Sequence, residues 1–298
     1  MRPGASKVQQ LEFSELYLGH HGLGDRFCDS AGACIDFTVY DDALHRDLRM
    51  LEATCRQAWN SEKGRNGFIM HYDGDSYRVI VMTTNSGEIF ILRRLASAVA
   101  TLRSLGMPPA YVRKLMRADL SGLLVVSGPV NSGKTTTACA LVRERLLQYG
   151  GVAMTVEDPV ELPLEGSHGA GVCFQSNITP ESGGYLEAFR TVSRLRPKVI
   201  FLGDLRDSDL VREVLEASAN GALVISTLQA SNLTRAAERL YAHIQEWVNP
   251  AAAKSLLAEG LLGIIHQHMI GNQRKSIETQ FLFLQESPSA KANLLRGD

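Results

Sequence analysis

The sequence has few cysteines, almost no net charge and no long run of purely apolar residues. The five cysteines among 298 residues include no Cys-x-x-Cys pair, which argues against a disulfide framework and against the common zinc sites. Because 31 basic residues balance 32 acidic ones, the overall charge gives no reason to expect nucleic acid or an anionic lipid surface as the main partner. The composition is that of an ordinary soluble protein with one or two domains.

The most apolar segment spans residues 251–270 and carries Lys254, Glu259 and two histidines. It is therefore too polar for a membrane span, and we interpret it as a packed helix. The first fifteen residues contain no apolar core of a secretory signal. These features predict a cytoplasmic protein, or one that lies peripherally on a membrane.

Residues 1–103 predict a small α+β domain. Apolar residues at helical spacing over residues 42–59 indicate one amphipathic helix. Two strand-like runs, 76–84 and 87–95, are joined through an Asn-Ser-Gly turn, which indicates a β-hairpin.

Two adjacent prolines make segment 104–110 the best candidate for a linker, and the pattern changes after it. Residues 111–298 contain short, almost continuous apolar runs separated by segments with helical periodicity. The four runs are residues 122–128, 152–158, 198–204 and 222–229. This alternation predicts an α/β domain with a parallel sheet covered on both faces. Ligands of such sheets bind beyond the carboxyl ends of the strands, where the polar residues of these runs lie.

Residues Gly128 to Thr135 read GPVNSGKT and fit the pattern G-x-x-x-x-G-K-[ST] between a predicted strand and a predicted helix. Backbone N–H groups of such a loop surround phosphates, and the helix N-terminus adds positive potential. We expect Lys134 to reach the β and γ phosphates and the Thr135 hydroxyl to bind Mg²⁺. The motif predicts a nucleoside triphosphate site. Its candidate residues are Gly128, Pro129, Val130, Asn131, Ser132, Gly133, Lys134, Thr135 and Thr136.

Acidic residues and one amide end the other apolar runs. Asp204 ends a strand about 70 residues after the P-loop, the usual place for an acid that holds Mg²⁺ or orients water; the alternative interpretation is a helix cap. Glu157, Asp158 and Glu161 surround a proline and would repel one another unless a metal, arginines or water lay between them. Of these, Glu157 is our candidate to activate water. Gln229 ends the last run, where an amide can hydrogen-bond water or a γ-phosphate without carrying charge.

Several arginines are candidates to complete the site. They are Arg194, Arg196 and Arg206, which flank the run ending at residue 204, and Arg78, Arg93 and Arg94 in or near the predicted hairpin. Because arginines on solvated faces are common, residue type alone assigns none of them to phosphate.

The order of these motifs resembles that of the PilT/GspE group of secretion and type IV pilus ATPases. GPVNSGKTTT resembles the family's P-loop, TVEDPVE its acidic Asp box and IFLGDLRD its Walker B run, while GALVISTLQA stands where the family has its His box. RVIVMTTNSGEIFILRRL and LGMPPAYVRKL are similar to the end of the family's PAS-like N-terminal domain and its linker. KANLLRGD is similar to a signature near the C-terminus. The resemblance covers residues 76–296.

The resemblance implies a RecA-like P-loop core with a smaller N-terminal α+β (PAS-like) domain. It also implies a ring of six subunits that binds ATP and Mg²⁺, with arginines of the N-terminal domain contacting phosphate. On this basis Arg78 and Arg93 are candidates to bind ATP, Thr135 and Asp204 to hold Mg²⁺, and Glu157, Glu161, Asp204, Gln229 and Arg194 to take part in hydrolysis. The implied partners are copies of the chain and an inner-membrane platform protein of a pilus or secretion apparatus, with the ring in the cytoplasm and peripheral to the inner membrane.

Three positions depart from the family pattern. The Walker B acid is usually glutamate, whereas Asp204 is one methylene shorter, and histidines normally stand where Ala222 and Gln229 lie. A shorter acid cannot hold the same water at the same distance, and an amide cannot become cationic. We therefore predict a motor ATPase of a type IV pilus, type II secretion or conjugative (type IVB-like) apparatus, with slow hydrolysis.

Two alternatives stay open beside the motor. One is an ATP-binding subunit that does not hydrolyse and serves the ring as a structural or regulatory member, as the three departures suggest. The other is a small-molecule P-loop kinase, which the motif series disfavours because the sequence contains no recognisable motif for an acceptor substrate.

Overall fold

The computed structural model describes residues 6–29, 33–37, 42–62, 64–178, 183–270 and 276–284. It divides into two compact units, Met1–Ser97 and Ala98–Asp298. Within the described residues, every helix is too short or too polar to cross a bilayer. The C-terminal motif at 291–298 lies outside the described residues.

The first unit is one antiparallel sheet covered by a helix. Its elements are α1 (Lys7–Gln10), β1 (Glu15–Leu18), β2 (Arg26–Cys28), β3 (Cys34–Asp36), α2 (Asp42–Ser61), β4 (Gly67–Tyr72), β5 (Asp75–Thr84) and β6 (Gly87–Arg94). The strand order is β3-β2-β1-β6-β5-β4. Leu48 and Leu51 of α2 are buried against sheet residues such as Phe90. The predicted helix and the predicted hairpin, now α2 and β5–β6, are confirmed.

The second unit is an eight-stranded sheet with helices on both faces. Its elements are α3 (Pro109–Leu115), β7 (Gly122–Gly128), α4 (Lys134–Tyr149), β8 (Gly151–Val156), β9 (Gly166–His168), β10 (Gly171–Phe174), α5 (Gly184–Arg194), β11 (Val199–Leu202), α6 (Ser208–Ala219), β12 (Leu223–Gln229), α7 (Leu233–Gln245), α8 (Pro250–Gly260), β13 (Leu261–Ile270) and β14 (Ser276–Phe283). The strand order is β14-β13-β7-β12-β11-β8-β10-β9.

The central six strands of this sheet, from β13 to β10, are parallel, and only the two edge pairs are antiparallel. The four predicted apolar runs are β7, β8, β11 and β12, which confirms the parallel sheet. Helices α3 and α4 cover one face of the sheet, and α5 to α8 cover the other. All the loops that follow the parallel strands therefore meet at one edge, which we call the carboxyl edge.

The stretch expected to be a linker, 104–110, lies inside the second unit. Met107 is buried in the α4-side core together with Leu102, just before the stretch, and α3 begins at Pro109. The burial of these apolar side chains fixes the stretch to the second unit.

The prediction of one packed helix over residues 251–270 is wrong for its second half. Helix α8 ends at Gly260, and the next ten residues form β13 between β7 and β14. A buried strand and a buried helix both produce an apolar run, and periodicity alone does not separate them. The segment forms a strand because of its place inside the sheet, where it hydrogen-bonds to β7 and to β14 and is covered on both faces.

Candidate active site

The P-loop connects the carboxyl end of β7 to the first residue of α4. Backbone torsions in the left-handed region occur at Asn131 (φ 62°) and Gly133 (φ 80°), and they curve the chain around a concave backbone surface. Gly133 occupies the N-cap position and has no side chain with which to cap the first turn of α4. The N–H groups of that turn therefore suit an anion.

Lys134 is the first residue of α4, and its Nζ donates a hydrogen bond to the Pro129 carbonyl oxygen at 2.7 Å. Partial burial lowers the pKa of this amine, while the carboxylates of Asp204 and Glu161 act in the opposite direction. Thr135 follows, half-buried at the same end of the helix. The Lys134 side chain thus lies over the P-loop, and a phosphate oxygen would compete with the Pro129 carbonyl oxygen for its ammonium group.

Glu157 follows β8 at the carboxyl edge and is 2% exposed. Gln175 donates from Nε2 to its Oε1 at 2.9 Å and to the Leu162 carbonyl oxygen at 3.0 Å. Burial raises the pKa of the Glu157 carboxyl, against the lowering effect of its hydrogen bonds to Thr155 and Gln175. The result is a positioned carboxylate with a raised affinity for a proton, which is the property of a general base.

Asp158 and Asp204 share one arginine. Arg206 contacts Asp158 Oδ2 through Nη1 at 3.0 Å and lies 3.7 Å from Asp204 Oδ2 through Nε. Partial burial raises the pKa of Asp204, while Arg206, Lys134 and Arg239 oppose that rise. A divalent cation would favour the ionised form in the same way, and the Asp204 carboxylate and Thr135 hydroxyl supply the oxygen ligands that Mg²⁺ prefers.

Gln229 is the last residue of β12 and is paired in register with Gly128, the first residue of the P-loop motif. Its side chain is exposed, and its backbone carbonyl accepts a hydrogen bond from Arg239 Nη1. Ala222, the other His-box position, precedes β12 at the opposite end of the strand, roughly 20 Å away at the usual rise per residue. Of these two positions, only Gln229 lies at the carboxyl edge.

The structure does not bring Arg194 to the P-loop of its own chain. Arg194 is the exposed last residue of α5, which returns to the start of β11, so that it lies at the edge of the sheet opposite to the P-loop. Arg78 and Arg93 belong to the first unit, where they are cross-strand partners on β5 and β6. Arg93 Nη2 also pairs with Glu15 Oε1 at 2.7 Å.

Strand β13 adds residues that sequence reasoning missed. His266 is 1% exposed, and its ring nitrogens lie 3.0 Å from Ser127 Oγ and 2.9 Å from His268 Nε2. Burial lowers the pKa of His266, and electrostatic interactions with His268 and Lys134 lower it further, against the raising effect of a hydrogen bond with the Ser231 backbone. Gln267 donates to the Ser132 carbonyl oxygen at 2.5 Å. The signal was present as polar residues after an apolar run, but the helical interpretation of 251–270 obscured it.

Two sequence comparisons connect this architecture to known proteins. Residues 62–294 match the family described as type II/IV secretion system protein. The type II secretion system protein HxcR of Pseudomonas aeruginosa is 32% identical over 65% of this chain. The type IV pilus retraction ATPase PilT of the same species is 30% identical, also over 65% of this chain. These matches span 39% of the length of HxcR and 55% of that of PilT.

Solved structures share the fold. A crystal structure of the pilus retraction motor PilT with bound ADP has a TM-score of 0.82 at 21% identity, over 97% of this chain and 84% of that one. The Legionella pneumophila ATPase DotB has a TM-score of 0.74 at 19% identity, over 98% of this chain and 81% of that one. These similarities confirm the predicted RecA-like core with a smaller N-terminal domain. Together with the match over residues 62–294, they establish that the chain belongs to the type II/IV secretion system protein family.

Proposed function

We propose that the chain binds ATP with Mg²⁺ and hydrolyses it slowly, as a subunit of a ring motor of a pilus or secretion apparatus. The observation that carries the proposal is the convergence of the P-loop, Glu157, Asp204 and Gln229 at the carboxyl edge of one sheet. The family match, and the ADP named in the PilT structure, support the proposal that the site binds a nucleotide.

In this proposal the P-loop holds the triphosphate. The concave backbone from residue 128 to 133 and the first turn of α4 supply N–H donors. Lys134 exchanges its present hydrogen bond to the Pro129 carbonyl for one to a phosphate oxygen. Mg²⁺, when bound, neutralises phosphate charge, and the Thr135 hydroxyl and the Asp204 carboxylate are the groups proposed to hold it.

Glu157 is the proposed general base. A buried carboxylate with a raised pKa accepts a proton from water more readily than an exposed one, and Gln175 fixes its orientation through the bond to Oε1. Glu161 lies half-buried four residues later; its negative charge raises the pKa of Glu157, while a hydrogen bond with its backbone lowers it. General-base catalysis of this kind contributes about 10²- to 10⁴-fold to a rate.

Slow hydrolysis follows from Asp204 and Gln229. The side chain of Asp204 is shorter than that of glutamate, so its oxygens lie farther from the phosphates in this proposal. Small errors in the position of a reacting group reduce the rate strongly. An amide at residue 229 hydrogen-bonds a γ-phosphate without the charge of an imidazolium.

Three arginines complete the site in this proposal. Arg78 and Arg93 are proposed to contact phosphate, as their counterparts in the resembling family do. Arg194 lies at the sheet edge away from its own P-loop, so that its proposed role is confined to the site of a neighbouring copy. Six copies are proposed to form the ring, which works in the cytoplasm against an inner-membrane platform protein.

The test is steady-state phosphate release by the purified protein, with Lys134→Ala as the blank. We expect wild-type turnover at least about 100-fold above the blank, since a single charge-stabilising group is worth that much. A second candidate, the non-hydrolysing ring subunit, is favoured by the departures at Asp204 and Gln229. Wild-type protein that binds ATP but releases no more phosphate than the blank would establish that candidate instead.

A further inference from the structure

Gln267 contacts the P-loop from a strand that is distant in sequence. It lies on β13, on the face of the sheet that α4 covers, as its neighbour Ile265 in the α4-side core shows. Its side chain is completely buried, and Nε2 donates to the carbonyl oxygen of Ser132 at 2.5 Å. The amide therefore contacts the peptide that joins Ser132 to Gly133.

The orientation of that peptide determines where one N–H group points. A trans peptide is planar, so that the Ser132 carbonyl and the Gly133 N–H point in opposite directions. Because the Ser132 carbonyl is held toward Gln267 on β13, the Gly133 N–H is directed away from Gln267. Gly133 is left-handed and flexible by residue type, so an external hydrogen bond fixes a peptide that could otherwise rotate.

The backbone of Gln267 packs closely against the first glycine of the loop, and its side chain lies near the second. A Cβ at Gly128 would overlap the Gln267 carbonyl oxygen, and a Cβ at Gly133 would lie 3.4 Å from Gln267 Nε2. Gly128 thus makes room for the backbone of residue 267. Within the described part of the chain, Gln267 Oε1 and Ser132 Oγ are buried without a hydrogen-bond partner. Burying an amide with one unsatisfied atom is unfavourable, which argues that the Nε2 contact has a role beyond filling space.

We propose that Gln267 is a positioning residue of the nucleotide site, which orients the Gly133 N–H toward phosphate by holding the Ser132 carbonyl. This inference rests on the proposed function, since it assigns a role within ATP binding. It predicts that the contact serves the phosphates rather than the base or the ribose. Inorganic pyrophosphate is therefore as good a probe of it as ATP.

The test replaces Gln267 with methionine, which has a similar length and no hydrogen-bond donor. We expect Gln267→Met to weaken binding of both ATP and pyrophosphate by about fivefold to tenfold, the equivalent of one hydrogen bond. KM should rise by the same factor while kcat changes by less than about threefold, because a contact made equally before and during reaction affects only binding. Thermal stability without nucleotide should stay close to that of the wild type.

The matched control is Gln280→Met, which removes an exposed amide of the same β13–β14 hairpin on the opposite face of the sheet. This variant should bind both ligands as the wild type does. If Gln267→Met binds ATP and pyrophosphate within twofold of wild type, or if Gln280→Met loses as much affinity, the inference is overturned. Wild-type protein that binds neither ligand would instead overturn the proposed function.

Gln267→Glu provides a second measurement if the methionine variant does not fold. A protonated carboxyl donates to the Ser132 carbonyl, whereas a carboxylate repels it. The ratio of wild-type to variant affinity for ATP should therefore shrink as pH falls from 8 to 6. A ratio that does not change with pH contradicts a donor role for this side chain.

Discussion

At the scale of single residues, the buried carboxylate of Glu157 is proposed to take part in the reaction rather than to stabilise the fold. Burial raises the pKa of Glu157 in the folded protein. The folded state therefore binds this proton more tightly than the unfolded state does. The associated stability is present below the ordinary glutamate pKa and is lost as pH rises through the raised value. At neutral pH the folded protein is therefore less stable than it would be with an uncharged side chain at residue 157.

Glu157→Gln is therefore predicted to raise the melting temperature, by more at pH 8 than at pH 5. The amide oxygen of the new residue can still accept from Gln175, while the cost of burying a charge disappears. Thermal unfolding of wild type and variant across this pH range measures the difference. The matched control is Glu238→Gln, which removes an exposed charge on α7 and should leave the melting temperature nearly unchanged. A Glu157→Gln variant that is less stable than wild type at pH 8 contradicts the proposed environment of the carboxylate.

Asp204→Glu combined with Gln229→His is predicted to increase the rate of hydrolysis by about tenfold or more, because the longer acid restores the distance to the reacting phosphate. Steady-state kinetics at saturating ATP measure the effect. Each single variant should give a smaller gain, since both residues act on the same group. If the double variant is no faster than wild type, the slow step lies elsewhere.

At the scale of secondary structure elements, the sequence predicted those with an unambiguous pattern. The amphipathic helix α2, the β5–β6 hairpin and the strands β7, β8, β11 and β12 were all predicted, because period and turn residues agreed in each. Strand β13 was not predicted, because the apolar run that opens it, directly after a helix, has no period that marks it as a strand. Its position between β7 and β14 depends on contacts that are remote in sequence.

The P-loop residues were predicted because a short motif contains both the loop and its function. Gln175 and Gln267 were missed because their roles arise from tertiary contacts with Glu157 and Ser132. Neither glutamine belongs to a local motif. The P-loop can therefore be identified from the sequence alone, whereas the residues that orient it can be identified only from the three-dimensional structure.

Gly128→Ala is predicted to abolish ATP binding and to destabilise the second unit by about 1–3 kcal/mol through overpacking. The physical reason is the overlap of the new Cβ with the Gln267 carbonyl across the β7–β13 pair. Gly221→Ala is the matched control, since Gly221 also has a positive φ (100°) but has open space around it. It should cost only about 1 kcal/mol and keep ATP binding. Equal effects in thermal unfolding and ATP titration would show that backbone strain, not the overlap, is responsible.

At the scale of the whole molecule, the proposed role of Arg194 requires more than one copy of the chain. Arg194 lies at the sheet edge away from its own P-loop, and an arginine there can act only on another copy. The resemblance to the PilT/GspE group implies that the copies number six, so a hexamer is predicted with ATP and Mg²⁺ at micromolar concentration, as measured by light scattering. Lys134→Ala, which is predicted not to bind ATP, should assemble less completely. A wild-type monomer under these conditions would count against the ring.

One edge of one sheet is proposed both to bind ATP and to hydrolyse it through Glu157. Single-turnover hydrolysis of labelled ATP, measured together with binding, tests it most directly. We predict that wild type binds and hydrolyses, that Glu157→Gln binds with similar affinity but hydrolyses about 100-fold more slowly, and that Lys134→Ala does neither. If Glu157→Gln hydrolyses ATP as fast as wild type does, the claim is contradicted.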